Sequence, residues 1–112
     1  LIEGAGGWRV PVNERETLAD LPKELNIPVI LVVGMKLGCI NHAILTAEAI
    51  RRDGCELAAW VANVVDKDMA ELDANFATLK GSIPAPCLGL VPFMPVITPA
   101  DIADKLVLNE LL

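Results

Sequence analysis

The chain reads as an α/β domain with a parallel sheet flanked by helices, and three observations predict it. Apolar runs of strand length alternate with stretches of helical periodicity along the 112 residues. The run Val29-Ile30-Leu31-Val32-Val33 is apolar at every position, the pattern of a strand covered on both faces in the middle of such a sheet. Hydrophobic residues make up 54% against 21% charged, with two Trp, two Phe and no Tyr, so the core is aliphatic and the chain is neither disordered nor fibrous. A single domain over residues 1–112 fits that length.

Residues 1–3 (Leu1-Ile2-Glu3) read as the end of a strand, running into the glycine-rich Gly4-Ala5-Gly6-Gly7. With no Met at position 1, the N-terminus reads as cut. Residues 17–25 predict a short helix, stopped at Asn26-Ile27-Pro28 because the residue before proline disfavours helix. The second strand covers residues 28–34. From 38 to 53 Ile40, Ala43, Ile44, Ala47 and Ile50 recur at helical spacing, with Glu48, Arg51 and Arg52 on other faces and Gly54 as the stop. Residues 57–63 form the third strand and 69–80 the next helix, with Leu72, Phe76 and Leu79 on one stripe and Gly81 past its end. Asp66, Asp68, Glu71 and Asp73 read as a solvated helix start favoured by the macrodipole. The fourth strand is 87–91, a Pro-rich loop follows, and Thr98 is placed to cap a helix beginning at Pro99.

A formal net charge of −6 with scattered basic residues argues against a nucleic-acid-binding surface, which needs clustered Lys and Arg. Cys39, Cys55 and Cys87 are widely spaced, with no C-x-x-C pair, and read as reduced, mostly buried thiols of a cytoplasmic protein. The longest apolar run, residues 27–34, is far short of the roughly 20 residues a membrane helix needs.

Ligands of open parallel sheets bind beyond the carboxyl ends of the strands, and three such ends carry unusual residues. Glu3 is followed by glycines that allow close backbone approach. The pattern suits either a plain tight turn or a phosphate cradle with a carboxylate for Mg²⁺. Gly34-Met35-Lys36-Leu37-Gly38-Cys39-Ile40-Asn41-His42 enters the best helix. It is either an ordinary turn or a helix start that receives a carboxylate on its free N–H groups. Trp60-Val61-Ala62-Asn63 stops at an amide that either just terminates the strand or pairs with the edge of adenine. His42 is a lone histidine on a helix and takes no catalytic role.

The wording and order of these segments carry a resemblance. Ile2-Glu3-Gly4-Ala5-Gly6-Gly7-Trp8, Pro28 through His42, Trp60-Val61-Ala62-Asn63 and Pro84-Ala85-Pro86-Cys87-Leu88-Gly89 closely resemble the second half of the dethiobiotin synthetases. The match covers nearly the whole chain and weakens after Pro95. Its most specific part is Lys36-Leu37-Gly38-Cys39-Ile40-Asn41-His42, since a glycine-rich acid motif also occurs in related P-loop amidating enzymes of the cobyrinic acid diamide synthase type.

The resemblance implies a P-loop NTPase-like fold, of which residues 1–112 are the carboxyl-terminal part, and a cytoplasmic homodimer. It implies ligase activity in biotin biosynthesis. There, 7,8-diaminononanoate and CO₂ form a carbamate, ATP phosphorylates it, and the second amine closes the ureido ring. By motif, Glu3 is a Mg²⁺ ligand and Gly4, Ala5 and Gly6 line the phosphates. Asn63 and Val64 meet adenine, and Pro92, Phe93 and Met94 lie over base and ribose. Leu37, Gly38, Cys39, Ile40 and Asn41 hold the substrate carboxylate across the dimer. The Walker A loop and the catalytic lysines belong to the family's first half, so the resemblance implies no catalytic residue in this chain and no activity for it alone. The family's acidic residue after the last strand has no counterpart in residues 95–100, and Asp101 is the nearest candidate. A non-catalytic dimerisation or binding module is the competing reading.

Overall fold

The computed structural model describes residues 1–111. Three parallel strands, β1 (Val29–Met35), β2 (Leu57–Val64) and β3 (Cys87–Val91), form one sheet in the order β1-β2-β3. Parallel neighbours require crossovers, supplied by α2 (Cys39–Arg52) and α3 (Leu72–Ser82). Crossovers of one hand that step the same way across a sheet put both helices on one face. There α2 packs on β1, β2 and α3. The short α1 (Asp20–Leu25) precedes the sheet, and α4 (Pro99–Ala103) and a 3-10 turn at Leu108–Leu111 follow it.

Strand alternation sorts the core into two layers. Val33 and Met35 of β1 and Trp60, Ala62 and Val64 of β2 face the helices and meet Cys39, Ala43, Ala47 and Ile50 of α2 and Leu79 of α3. The Trp60 ring tilts against Phe76 with centroids 5.9 Å apart, and its buried Nε1–H has no partner among the described residues. On the opposite face Ala59, Val61, Leu88 and Val91 are covered by Met94, Ile102, Leu106 and Leu111.

Several sequence expectations need correction. Residues 1–3 are not a strand: they are exposed and join no ladder, because β1 pairs only with β2 among the described residues. The apolar run of β1 is covered on one face only. Val32 is 61% exposed and Ile30 39%, since the carboxyl-terminal segment reaches β2 and β3 but not β1. Helix α1 starts at Asp20 instead of residue 17, because the Asp20 carboxylate accepts the Thr17 backbone N–H at 2.8 Å and holds it in a turn. It stops at Asn26, whose left-handed φ of 50° lets its N–H return to Lys23 and Pro22. Helix α3 starts late as well, since Glu71 is left-handed at φ 55°, so Asp73 alone of the acidic group lies in the first turn. Gly81 lies inside α3, which ends where Ile83 turns extended ahead of Pro84. Cys39 is buried, whereas Cys55 and Cys87 are half-buried, and all three are free thiols.

Other boundaries agree with the sequence reading. Gly54, at φ 82°, follows α2, and the N–H of Cys55 reaches back to the Ile50 carbonyl at 3.1 Å. Thr98 caps α4 in a full capping box with Asp101, and Pro99 occupies the first helical position. No described helix is long and apolar enough to cross a membrane.

Ile50 has no exposed surface and joins α2 to the sheet. Ile50→Ala is expected to lower the unfolding free energy by about 2–5 kcal/mol, read as a fall in the urea midpoint with an unchanged m-value.

Candidate functional site

The ladders fix which residues share an edge. Gly34 of β1 pairs with Asn63 of β2, and Asn63 pairs with Val91 of β3. Since the strands are parallel and about 4.8 Å apart, the turn after Met35, the amide of Asn63 with Val64, and the loop of Pro92, Phe93 and Met94 emerge side by side. Asn63 is half-buried and Val64 buried. Pro92 and Met94 are half-buried and Phe93 is 46% exposed, so the loop presents apolar surface beside the amide.

At the start of α2 the N-cap is Gly38, with φ 91° and no side-chain cap bond. A Cβ there would touch nothing within 4 Å, so glycine answers to the backbone angle and not to crowding. The N–H of Cys39 donates to the Lys36 carbonyl at 3.0 Å. That leaves the N–H groups of Ile40 and Asn41 as the helix-start donors, for which an anion is the fitting partner. Cys39 is buried, with its Sγ 4.0 Å from Asn75 Oδ1, so its thiol faces the core. Leu37 is 88% exposed and Asn41 is exposed, as a surface that meets another molecule needs.

The glycine-rich segment is held differently from the other three groups. Glu3, Gly4, Ala5 and Gly6 are exposed and lie outside the sheet. The next residues run along α2, where Gly6, Gly7, Trp8 and Arg9 share a shallow groove with His42 and Leu45. Sequence reading passed over the anchor of this segment, which is Asp53 at the end of α2. Its carboxylate accepts the Trp8 Nε1–H and an Arg9 Nη2–H, each at 2.7 Å. Partial burial pushes the Asp53 carboxyl up, but the bonds from Trp8 and Arg9 outweigh it and hold the group below its ordinary value. Nothing in the spacing of Trp8, Arg9 and Asp53 signals the clasp, which joins residues 45 and 44 apart.

No group of three or more His, Cys, Asp or Glu able to hold a metal occurs among the described residues. Glu3 is therefore a single carboxylate donor. One carboxylate suits Mg²⁺ that arrives with phosphate oxygens filling its other positions, and does not make a site of its own.

A parallel sheet whose strand ends bring a bare helix start and an amide beside an apolar loop to one edge has its ligand edge where open α/β folds have theirs. A family model described as AAA domain matches residues 1–101, and the chain belongs to that family. Its relatives are more specific. The ATP-dependent dethiobiotin synthetase BioD of Cellvibrio japonicus (strain Ueda107) is 66% identical over 92 residues, 82% of this chain and 40% of that protein. The synthetase of the same name from Pseudomonas aeruginosa (strain UCBPP-PA14) is 59% identical over 111 residues, 99% and 49% of the two chains. That of Aeromonas salmonicida (strain A449) is 46% identical over 112 residues, 100% and 50%. The chain thus spans about half the length of the curated relatives it matches, and its resemblance to dethiobiotin synthetases holds over nearly all its residues.

The depressed Asp53 value makes the clasp pH-dependent with a definite sign. A carboxyl whose folded value is lowered stabilises fully above the ordinary 3.8 and loses that contribution as the pH falls through the folded value. With Trp60→Phe leaving Trp8 as the sole indole, Trp8 emission is expected to shift to the red only below pH 3.8. Asp53→Ala should show the shifted emission already at neutral pH, and an unchanged spectrum would mean that no clasp forms.

Proposed function

We propose that this chain is the carboxyl-terminal part of a single P-loop-type α/β domain of a dethiobiotin synthetase. The reaction is the ATP-dependent ligation of 7,8-diaminononanoate and CO₂ into the ureido ring of dethiobiotin, in a cytoplasmic homodimer. The observation that carries this reading is the register of Gly34, Asn63 and Val91, which lines up the bare start of α2, the Asn63 amide and the apolar loop on one edge. The relatives' name, ATP-dependent dethiobiotin synthetase, supports reading ATP as a ligand of that edge.

In this reading Asn63 pairs through its carboxamide with the edge of adenine, and Val64 continues the contact. Pro92, Phe93 and Met94 cover base and ribose and exclude water. Glu3 holds Mg²⁺, which when bound neutralises charge on the phosphate chain, and Gly4, Ala5 and Gly6 allow the phosphates to approach the backbone. Ile40 and Asn41 direct their free N–H groups at the carboxylate of diaminononanoate bound mainly by the second subunit, with Gly38 and Cys39 forming the turn that presents them and Leu37 against its alkyl chain. The chemical steps are carbamate formation on one amine, phosphorylation by the γ-phosphate, and attack of the second amine with release of phosphate.

The 112 residues contain no G-x-x-x-x-G-K-[ST] loop. That loop supplies the principal clamp on a γ-phosphate, so the chain by itself is expected to bind nucleotide without turning over.

Nuclear magnetic resonance tests the base site directly. Titrating the labelled chain with Mg-ATP should shift the Asn63 side-chain amide and the Met94 methyl, and Asn63→Ala should weaken ATP binding about tenfold, the value of one or two neutral hydrogen bonds. Shifts that leave Asn63 and Met94 untouched would sink the reading. At the other site Gly38→Ala forces a left-handed angle on a residue with a Cβ, at about 1–2 kcal/mol. It should weaken diaminononanoate binding while ATP binding holds.

A further inference from the structure

The Val107 N–H donates to the Leu88 carbonyl at 2.8 Å. The segment that returns to make this bond passes directly over Gly89. A Cβ on Gly89 would overlap the Lys105 carbonyl oxygen and lie 3.2 Å from the carbonyl carbon and 3.5 Å from Leu106 Cα. All three obstacles are backbone, so no change of rotamer relieves them. The register with β2 slips at the same place: Trp60 pairs with Cys87 and Val61 with Gly89, so Leu88 is passed over, and its side chain lies buried beneath the returning segment.

Residues 92–104 are therefore an excursion closed at its base, with Leu88 and Gly89 on one side and Lys105 and Val107 on the other. Met94 and Ile102 within it, and Leu106 just past its base, pack against the cluster of Ala59, Val61, Leu88 and Val91. The capping box of Thr98 and Asp101, with a 2.6 Å side-chain bond, fixes the start of α4. We infer that Gly89 is a positioning residue for nucleotide recognition: its missing side chain lets the returning segment seat on β3, and that seat sets where Pro92, Phe93 and Met94 stand beside Asn63. This rests on the base-binding role proposed above. Gly89 touches no nucleotide itself and acts through the loop.

The test compares wild type, Gly89→Ala and Leu106→Ala, each titrated with Mg-ATP and separately with magnesium tripolyphosphate and followed by nuclear magnetic resonance. Gly89→Ala should lose ATP affinity by about tenfold or more, as displaced contacts in a positioned site do, and Leu106→Ala should lose less in the same direction. The response of the Gly4 and Gly6 amides to tripolyphosphate should stay as in wild type. Equal loss for both ligands would mean a general loss of structure and would overturn the inference. Wild-type ATP affinity in Gly89→Ala would overturn it while leaving the base site standing. A wild-type chain whose Asn63 ignores ATP would remove the base site first and the inference with it. If Gly89→Ala does not fold, Leu106→Ala decides on the same outcomes.

Discussion

Parallel pairing of β1, β2 and β3 is the constraint from which the rest follows. A parallel pair cannot be closed by a tight turn, so after each strand the chain must travel back along the sheet before it can pair again. That return is made by α2 and α3, whose apolar faces then bury Met35, Trp60 and Val64. The same constraint delivers every outgoing connection to one edge. The lone amide of Asn63, the bare start of α2 and the loop beginning at Pro92 are neighbours only because Gly34, Asn63 and Val91 lie in register.

The two faces of the sheet are unequal. The helix side is sealed by α2 and α3, while the opposite side is covered over β2 and β3 by residues that follow β3. The exposed side chains of Ile30 and Val32, and the outer edge of β1, are left without cover among the described residues. Parallel strands are ordinarily buried on both faces. The strand with one bare face and one bare edge belongs to a chain that spans about half the length of the curated relatives it matches.

Much of this was legible in the sequence because it depends on local chemistry. The periodicity of Ile40, Ala43, Ala47 and Ile50 gave α2 to within a residue at each end, and Thr98 with Pro99 marked the start of α4. Features that rest on a single backbone angle were missed. Asn26 and Glu71 adopt left-handed conformations, and no pattern of apolar residues signals them. Features that rest on distant contacts were missed for a different reason: the Asp53 clasp and the Gly89 seat each join segments far apart in the chain. The apolar wording of β1 suggested two covered faces, but wording records what a strand tolerates and not which neighbour supplies the cover. The strand ends next to Gly38 and at Asn63 were legible in the sequence, and the pairing of Gly34 with Asn63 sets them on one edge. The reading of residues 1–3 as a strand failed because a strand needs a partner as well as a sequence.

We propose that these residues form the adenine and substrate-carboxylate half of a dethiobiotin synthetase. The most direct test splices the chain in place of the matching half of the Pseudomonas aeruginosa relative and measures dethiobiotin formed from diaminononanoate, bicarbonate and Mg-ATP. A folded dimeric chimera that makes dethiobiotin, and loses ATP affinity on Asn63→Ala, is the predicted result. A folded dimeric chimera that makes none would contradict the claim.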